Sequence, residues 1–74
     1  MGSLRRKFGK RLRHLRMQHG LTQEQLAEAV GLSVDFVSNL ERSVNAPSFE
    51  TLEKLSEVFR LEIRELFDFT EDES

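Results

Sequence analysis

The chain has 74 residues, 11 Lys+Arg against 13 Asp+Glu, a formal net charge of −2 and no cysteine. That is enough for one small domain with a modest core, worth about 3–5 kcal/mol of net stability without a staple or a partner. Disulfides and thiolate metal sites are excluded, which fits a reducing, cytoplasmic setting, and no apolar run approaches the ~18 residues of a membrane span. Met1-Gly2-Ser3 opens like an acylation signal, but Arg6 stands where Ser or Thr is required. The triplet is either native or a vector-derived addition.

The near-neutral total conceals an asymmetry. Residues 1–19 carry seven basic side chains (Arg5, Arg6, Lys7, Lys10, Arg11, Arg13 and Arg16) and no acid. Residues 48–74 carry nine acids against Lys54, Arg60 and Arg64. A basic end suits phosphates; it also suits a plain solvated helix face.

In chain order, Phe8, Leu12 and Leu15 recur at four and three residues, which predicts a first helix with one apolar face. Gly20 stops it. Thr22 with Gln25 three residues on reads as a capping box, opening a second helix that runs to about Val30 and buries Leu26, Ala27 and Val30. Gly31 supplies a sharp turn. Ser33 caps a third helix, with Asp35 in its first turn favouring the dipole and Val37 and Leu40 inward. Pro47 disfavours helix at Ala46, and Ser48 caps a fourth helix with the stripe Phe49, Leu52, Leu55 and Phe59. A short fifth helix carries Ile63, Leu66 and Phe67, and the acidic tail from Thr70 to Ser74 is expected to fray. No strand is predicted. The expectation is an all-α domain of five helices over residues 1–74, with its core at about 7–68 and its tail at 70–74.

The stretch Leu21 to Arg42, "LTQEQLAEAVGLSVDFVSNLER", is two short helices about a tight turn, with Ala27 small where they cross. That is a helix-turn-helix, whose second helix can enter a DNA major groove. With the preceding basic helix and the following "APSFETLEKLSEVF", the chain resembles the lambda repressor/Cro-type helix-turn-helix family, the xenobiotic response element family of bacterial and phage regulators, over about residues 7–68. The resemblance implies a five-helix fold, sequence-specific binding of double-stranded DNA, repression at a near-palindromic operator, a homodimer, and a cytoplasmic setting.

It also implies residue roles. Gln23 is expected to clamp a phosphate and brace the recognition helix. Ser33 resembles a second phosphate contact, and Arg42 can hold another. Val34, Asp35, Phe36 and Asn39 occupy the positions that face bases in the family. Asn39 can pair bidentately with adenine and Val34 can touch a thymine methyl. Arg16 and Glu41 resemble a buried pair between the first and third helices. Arg5, Arg6, Lys7 and Lys10 would add phosphate attraction.

Several of these residues have plainer readings. Phe36 falls about 100° from Val37 on the helix; Val37 is taken as core and Phe36 as partly exposed, touching DNA or packing over its own helix. Asp35 either accepts from cytosine or only favours the helix dipole. Ile63, Leu66, Phe67 and Phe69 are dimer candidates, with Ile63 and Leu66 inward and Phe67 or Phe69 left exposed for a partner. His14 and His19, five residues apart, are poorly spaced to share a metal. Thr22, Ser33 and Ser48 are caps rather than nucleophiles. No cofactor, metal, small-molecule ligand or enzymatic site is read. The rival function is a protein-interaction module on the same fold, antitoxin-like or co-regulatory. A weaker third reading makes the acidic C-terminus a DNA mimic or a recruiter of polymerase.

Overall fold

The second, third and fourth helices begin where a side chain accepts a backbone N–H that the helix itself leaves unmade. The computed structural model describes residues 3–72. Met1-Gly2 and Glu73-Ser74 lie outside them, and so do the readings of a vector-derived start and of frayed last residues. Among the described residues are four α-helices: α1 (Ser3–Gln18), α2 (Gln23–Val30), α3 (Val34–Glu41) and α4 (Phe49–Phe59). Two short 3-10 helices follow, Ile63–Phe67 and Phe69–Asp72.

The caps are those the sequence predicts. The Gln25 N–H donates to Thr22 Oγ1 at 3.0 Å, and the Thr22 N–H donates to Gln25 Oε1 at 2.9 Å. Ser33 Oγ accepts from the Phe36 N–H and Ser48 Oγ from the Thr51 N–H, both at 3.1 Å. Gly20 and Gly31 both adopt positive φ, 67° and 70°. Each lets the next residue donate back into the helix, Leu21 to the Arg16 carbonyl at 3.0 Å and Leu32 to the Ala27 carbonyl at 2.9 Å.

Two non-glycine residues share that left-handed conformation, Ser43 (φ 68°) and Arg60 (φ 57°). Arg60 caps α4, with its N–H directed at the carbonyls of Glu57 and Ser56. A left-handed L-residue costs roughly 1–2 kcal/mol. Arg60→Gly is therefore expected to raise stability by about 0.5–1 kcal/mol once the freer unfolded chain is set against that cost. Urea denaturation measures it, and an unchanged or lower midpoint would refute the strain.

The core joins Phe8, Leu12 and Leu15 of α1, Leu26, Ala27 and Val30 of α2, Val37 and Leu40 of α3, Leu52, Leu55 and Phe59 of α4, and Leu66. Three expectations are corrected here. The fifth helix is 3-10, not α. Arg11, only 3% exposed, donates from Nε and Nη2 to the Glu65 carbonyl at 3.1 and 2.9 Å, and the same carbonyl receives the Asp68 N–H at 3.3 Å in the tighter three-residue turn. Phe49 is 86% exposed. Leu52, Leu55 and Phe59 lie within about 60° of one another on α4, and Phe49 falls about 60° beyond that arc. Ile63 is 40% exposed, whereas Leu66 one turn later closes the core.

Neither Phe67 nor Phe69 stands free. Both are half-buried; the Phe67 ring lies 5.3 Å from Phe8 and edge-on to Phe69 at 6.2 Å. The tail is ordered into a 3-10 turn as far as Asp72. Thr70 starts it, donating to Asp68 Oδ1 from its hydroxyl at 2.6 Å and its N–H at 3.2 Å. Those bonds, hydroxyl first, hold the Asp68 carboxyl below its usual range, and the charge of Arg11 assists.

Candidate nucleic-acid interface

Three helices meet on one carboxylate. Arg16 of α1 donates to Glu41 of α3 from Nε (2.6 Å to Oε2) and Nη2 (3.2 Å to Oε1). Its remaining Nη1 donates to the Leu21 carbonyl at 2.8 Å. Gln23, the first residue of α2, donates from Nε2 to the same Glu41 Oε1 at 3.1 Å. The Glu41 and Arg16 side chains are only 3% and 13% exposed. Both carboxylate oxygens and the guanidinium fork are thereby satisfied, as a buried ion pair requires.

The consequence is positional. Gln23 Nε2 carries two N–H groups. One is committed to Glu41, and the other remains for an anion in front of α2. The first-turn N–H groups of α2 add partial positive charge there. Ser33 is exposed, and its oxygen already serves the Phe36 N–H, which leaves its hydroxyl hydrogen free to donate outward.

On α3, about 100° per residue puts Val34, Ser38, Arg42, Asp35 and Asn39 on one outward arc, in that angular order. Val34, Asp35 and Arg42 are exposed, and Ser38 and Asn39 half-buried. The Asn39 amide makes no hydrogen bond among the described residues, while its carbonyl receives the N–H groups of Val44 (2.8 Å) and Asn45 (3.3 Å). Phe36 is not on this arc. It falls about 60° beyond Asn39 and is half-buried, packed against the core beside Val37, as the plainer of its two readings has it. Sequence reasoning missed Ser38, although the same angular arithmetic finds it.

The basic residues of α1 divide. Arg6 and Lys10 share a flank with Arg13, at four and three residues, beside the edge where α1 meets α3. Lys7 is on the other flank, its ammonium 6.0 Å from the centroid of Phe69. Arg5 borders an apolar groove at Pro47. The four predicted phosphate residues therefore do not form one patch, and Arg13, which sequence reasoning passed over, belongs with two of them. His19 is committed elsewhere, with Nδ1 2.9 Å from the Leu15 carbonyl and its ring 4.8 Å from Phe59.

A family profile described as "Helix-turn-helix" matches residues 12–66, which span α2, the turn and α3 together with most of the supporting core. The chain belongs to the lambda repressor/Cro-type helix-turn-helix family. It is 41% identical over 59 residues to the HTH-type transcriptional regulator PuuR of Escherichia coli (strain K12), covering 80% of this chain but 32% of PuuR. The chain thus spans about a third of that relative. It is 30% identical over 69 residues to the control protein C.BamHI of Bacillus amyloliquefaciens, covering 92% of this chain and 85% of C.BamHI. Among solved structures, the restriction-modification controller protein C.AhdI from Aeromonas hydrophila superposes with a TM-score of 0.80 at 44% identity, over 84% of this chain and 94% of that one. Among the described residues, no helix is long and apolar enough to cross a membrane.

Proposed function

We propose that the protein is a DNA-binding transcriptional regulator, a repressor that binds a near-palindromic operator as a homodimer. The observation that carries this is the Arg16–Glu41–Gln23 junction. It fixes the outward arc of α3 relative to the donors at the start of α2, and a reading helix and its phosphate clamp must keep that relation. The likeness to PuuR, C.BamHI and C.AhdI supports the same reading. Gln23, Ser33 and Arg42 hold phosphates. Val34, Asp35, Ser38 and Asn39 meet the base edges. Arg6, Lys10 and Arg13 add a positive field.

Selection of bound sites from random DNA tests the whole proposal, and a palindromic consensus is the expected outcome. Asn39→Ala is expected to cost about 1–3 kcal/mol on the selected site and to relax preference at one base pair. An equal loss on random DNA would remove Asn39 from base reading.

A second reading, a protein-interaction module, draws on the exposed apolar Val34 and the exposed carboxylate of Asp35 on the same arc, neither of which donates a hydrogen bond to a base edge. Salt separates the two. Phosphate anchoring makes affinity fall steeply between low and moderate salt, and a flat response would favour the interaction module.

A further inference from the structure

Beside the start of α1 lies a concave apolar space with a charge at its edge. It is a groove of about 320 Å³, lined by Leu4, Phe8, Ala46, Pro47, Leu52 and Phe67, with Arg5 at its rim. Phe8 and Leu52 are buried beneath it, while Leu4, 59% exposed, forms an outer wall. The Phe8 and Phe67 rings pack at 5.3 Å, so two of its walls hold each other in place.

We propose that this groove binds a small amphipathic acid, a molecule with an apolar body and a single carboxylate. The body lies against Phe8, Leu52 and Phe67, and the carboxylate sits on the Arg5 guanidinium. Small-molecule sites are concave and mostly apolar, about 300–1,000 Å³ in volume, with few placed polar groups. This groove has that character and stands at the small end of that range. A guanidinium presents parallel N–H groups that match both oxygens of a carboxylate. Arg5 is exposed and makes no hydrogen bond or ion pair among the described residues, so its fork is open to a ligand.

The charges around the groove select the occupant. Arg6 and Lys7 are exposed next to Arg5, which disfavours a cationic head. Beyond Leu52 and Phe67 a second hollow begins, and Glu53 is part of its lining. A second carboxylate at the far end of the ligand would meet that acid. One negative charge, at the α1 end, is the pattern that fits. A DNA phosphodiester has no apolar body to lay against these walls. Ala46 and Pro47 belong to the segment that joins α3 to α4, so a bound acid touches the chain just past the proposed reading helix.

Titration of the full chain with octanoate, followed by NMR, tests the proposal. Octanoate is expected to shift the resonances of Leu4, Phe8 and Phe67 and to saturate with a dissociation constant on the order of 1 mM, the strength that a ligand of about ten non-hydrogen atoms reaches at ordinary efficiency. Octylamine and octanedioate share its carbon count, and each should bind roughly tenfold more weakly. Arg5→Glu should keep the helical circular dichroism, since the side chain supports nothing within its own chain, and should prefer octylamine to octanoate. Equal binding of octanoate and octylamine, or an unchanged preference in Arg5→Glu, would mean nonspecific apolar adsorption and overturn the proposal. Shifts centred on Phe49 and Ile63 would overturn it too. So would a lack of saturation up to about 10 mM, far above the expected constant, which is the outcome if a second copy of the chain fills the groove. The selection from random DNA decides DNA binding separately, and neither result depends on the other.

Discussion

Glu41→Ala is expected to lose about 3–5 kcal/mol and to leave much of the population unfolded at room temperature. Removing one partner of a buried ion pair strands the other charge in a poorly solvated site, and that penalty is of this size. A single domain of this length has about 3–5 kcal/mol to lose. Two groups are stranded here, because Glu41 accepts from both Arg16 and Gln23. Urea denaturation followed by circular dichroism measures the loss. The double variant Arg16→Met, Glu41→Leu serves as the control and should be markedly more stable than Glu41→Ala, because no charge is left unpaired. A Glu41→Ala loss below about 1 kcal/mol, the range of an exposed pair, would show that the carboxylate does not hold the three helices together.

Gly9→Ala has the next largest expected effect, and its direction separates local preference from packing. In the middle of a helix, alanine should stabilise by up to about 1 kcal/mol. A Cβ on Gly9, however, would lie 2.7 Å from the Glu41 carbonyl oxygen, 2.8 Å from that of Leu40 and 2.9 Å from Ser43 Oγ. Two of those three atoms are backbone, so relief requires α1 to move away from α3. Overpacking of this kind costs about 1–3 kcal/mol, and the shift also stretches the Arg16–Glu41 bonds. The expected net result is a loss of about 1–3 kcal/mol, read as a lower Tm. A higher Tm would mean that the α1–α3 contact yields freely.

How much of the molecule was legible in the sequence depended on how local the cause was. The starts of α2, α3 and α4 follow from Thr22, Ser33 and Ser48, each of which binds a backbone N–H three residues away. Nothing beyond the neighbouring residues is needed to predict them. Burial is different, because it depends on what arrives from elsewhere in the chain. Arg11 looked like one member of a basic run, yet the carbonyl of Glu65, 54 residues later, draws it inside. Phe49 looked like the start of an apolar stripe, yet no element covers it. Gly9 carried no signal, since its role is defined by carbonyls on another helix.

The candidate site divides in the same way. Its scaffold residues, Gln23, Arg16 and Glu41, were named from the family's pattern, and their geometry joins them directly. Its reading surface was half legible. Val34, Asp35 and Asn39 stand on the outward arc, Ser38 joins it between Val34 and Arg42, and Phe36 lies off it, half-buried against the core. Between the adjacent Phe36 and Val37, the stripe shared with Leu40 marks Val37 as the core residue, and Val37 is 1% exposed while Phe36 is half-buried.

Because α1, α2 and α3 converge on one carboxylate, α3 cannot tilt or slide without breaking several charge-assisted bonds at once. The protein is stiff on the face proposed to meet the groove. In the dimer proposed above, two such stiff heads face the duplex at a set separation, so any misfit in twist or spacing between half-sites must be taken up by the DNA. Base pairs that no side chain touches, in the middle of the operator, would then be selected for how readily they deform.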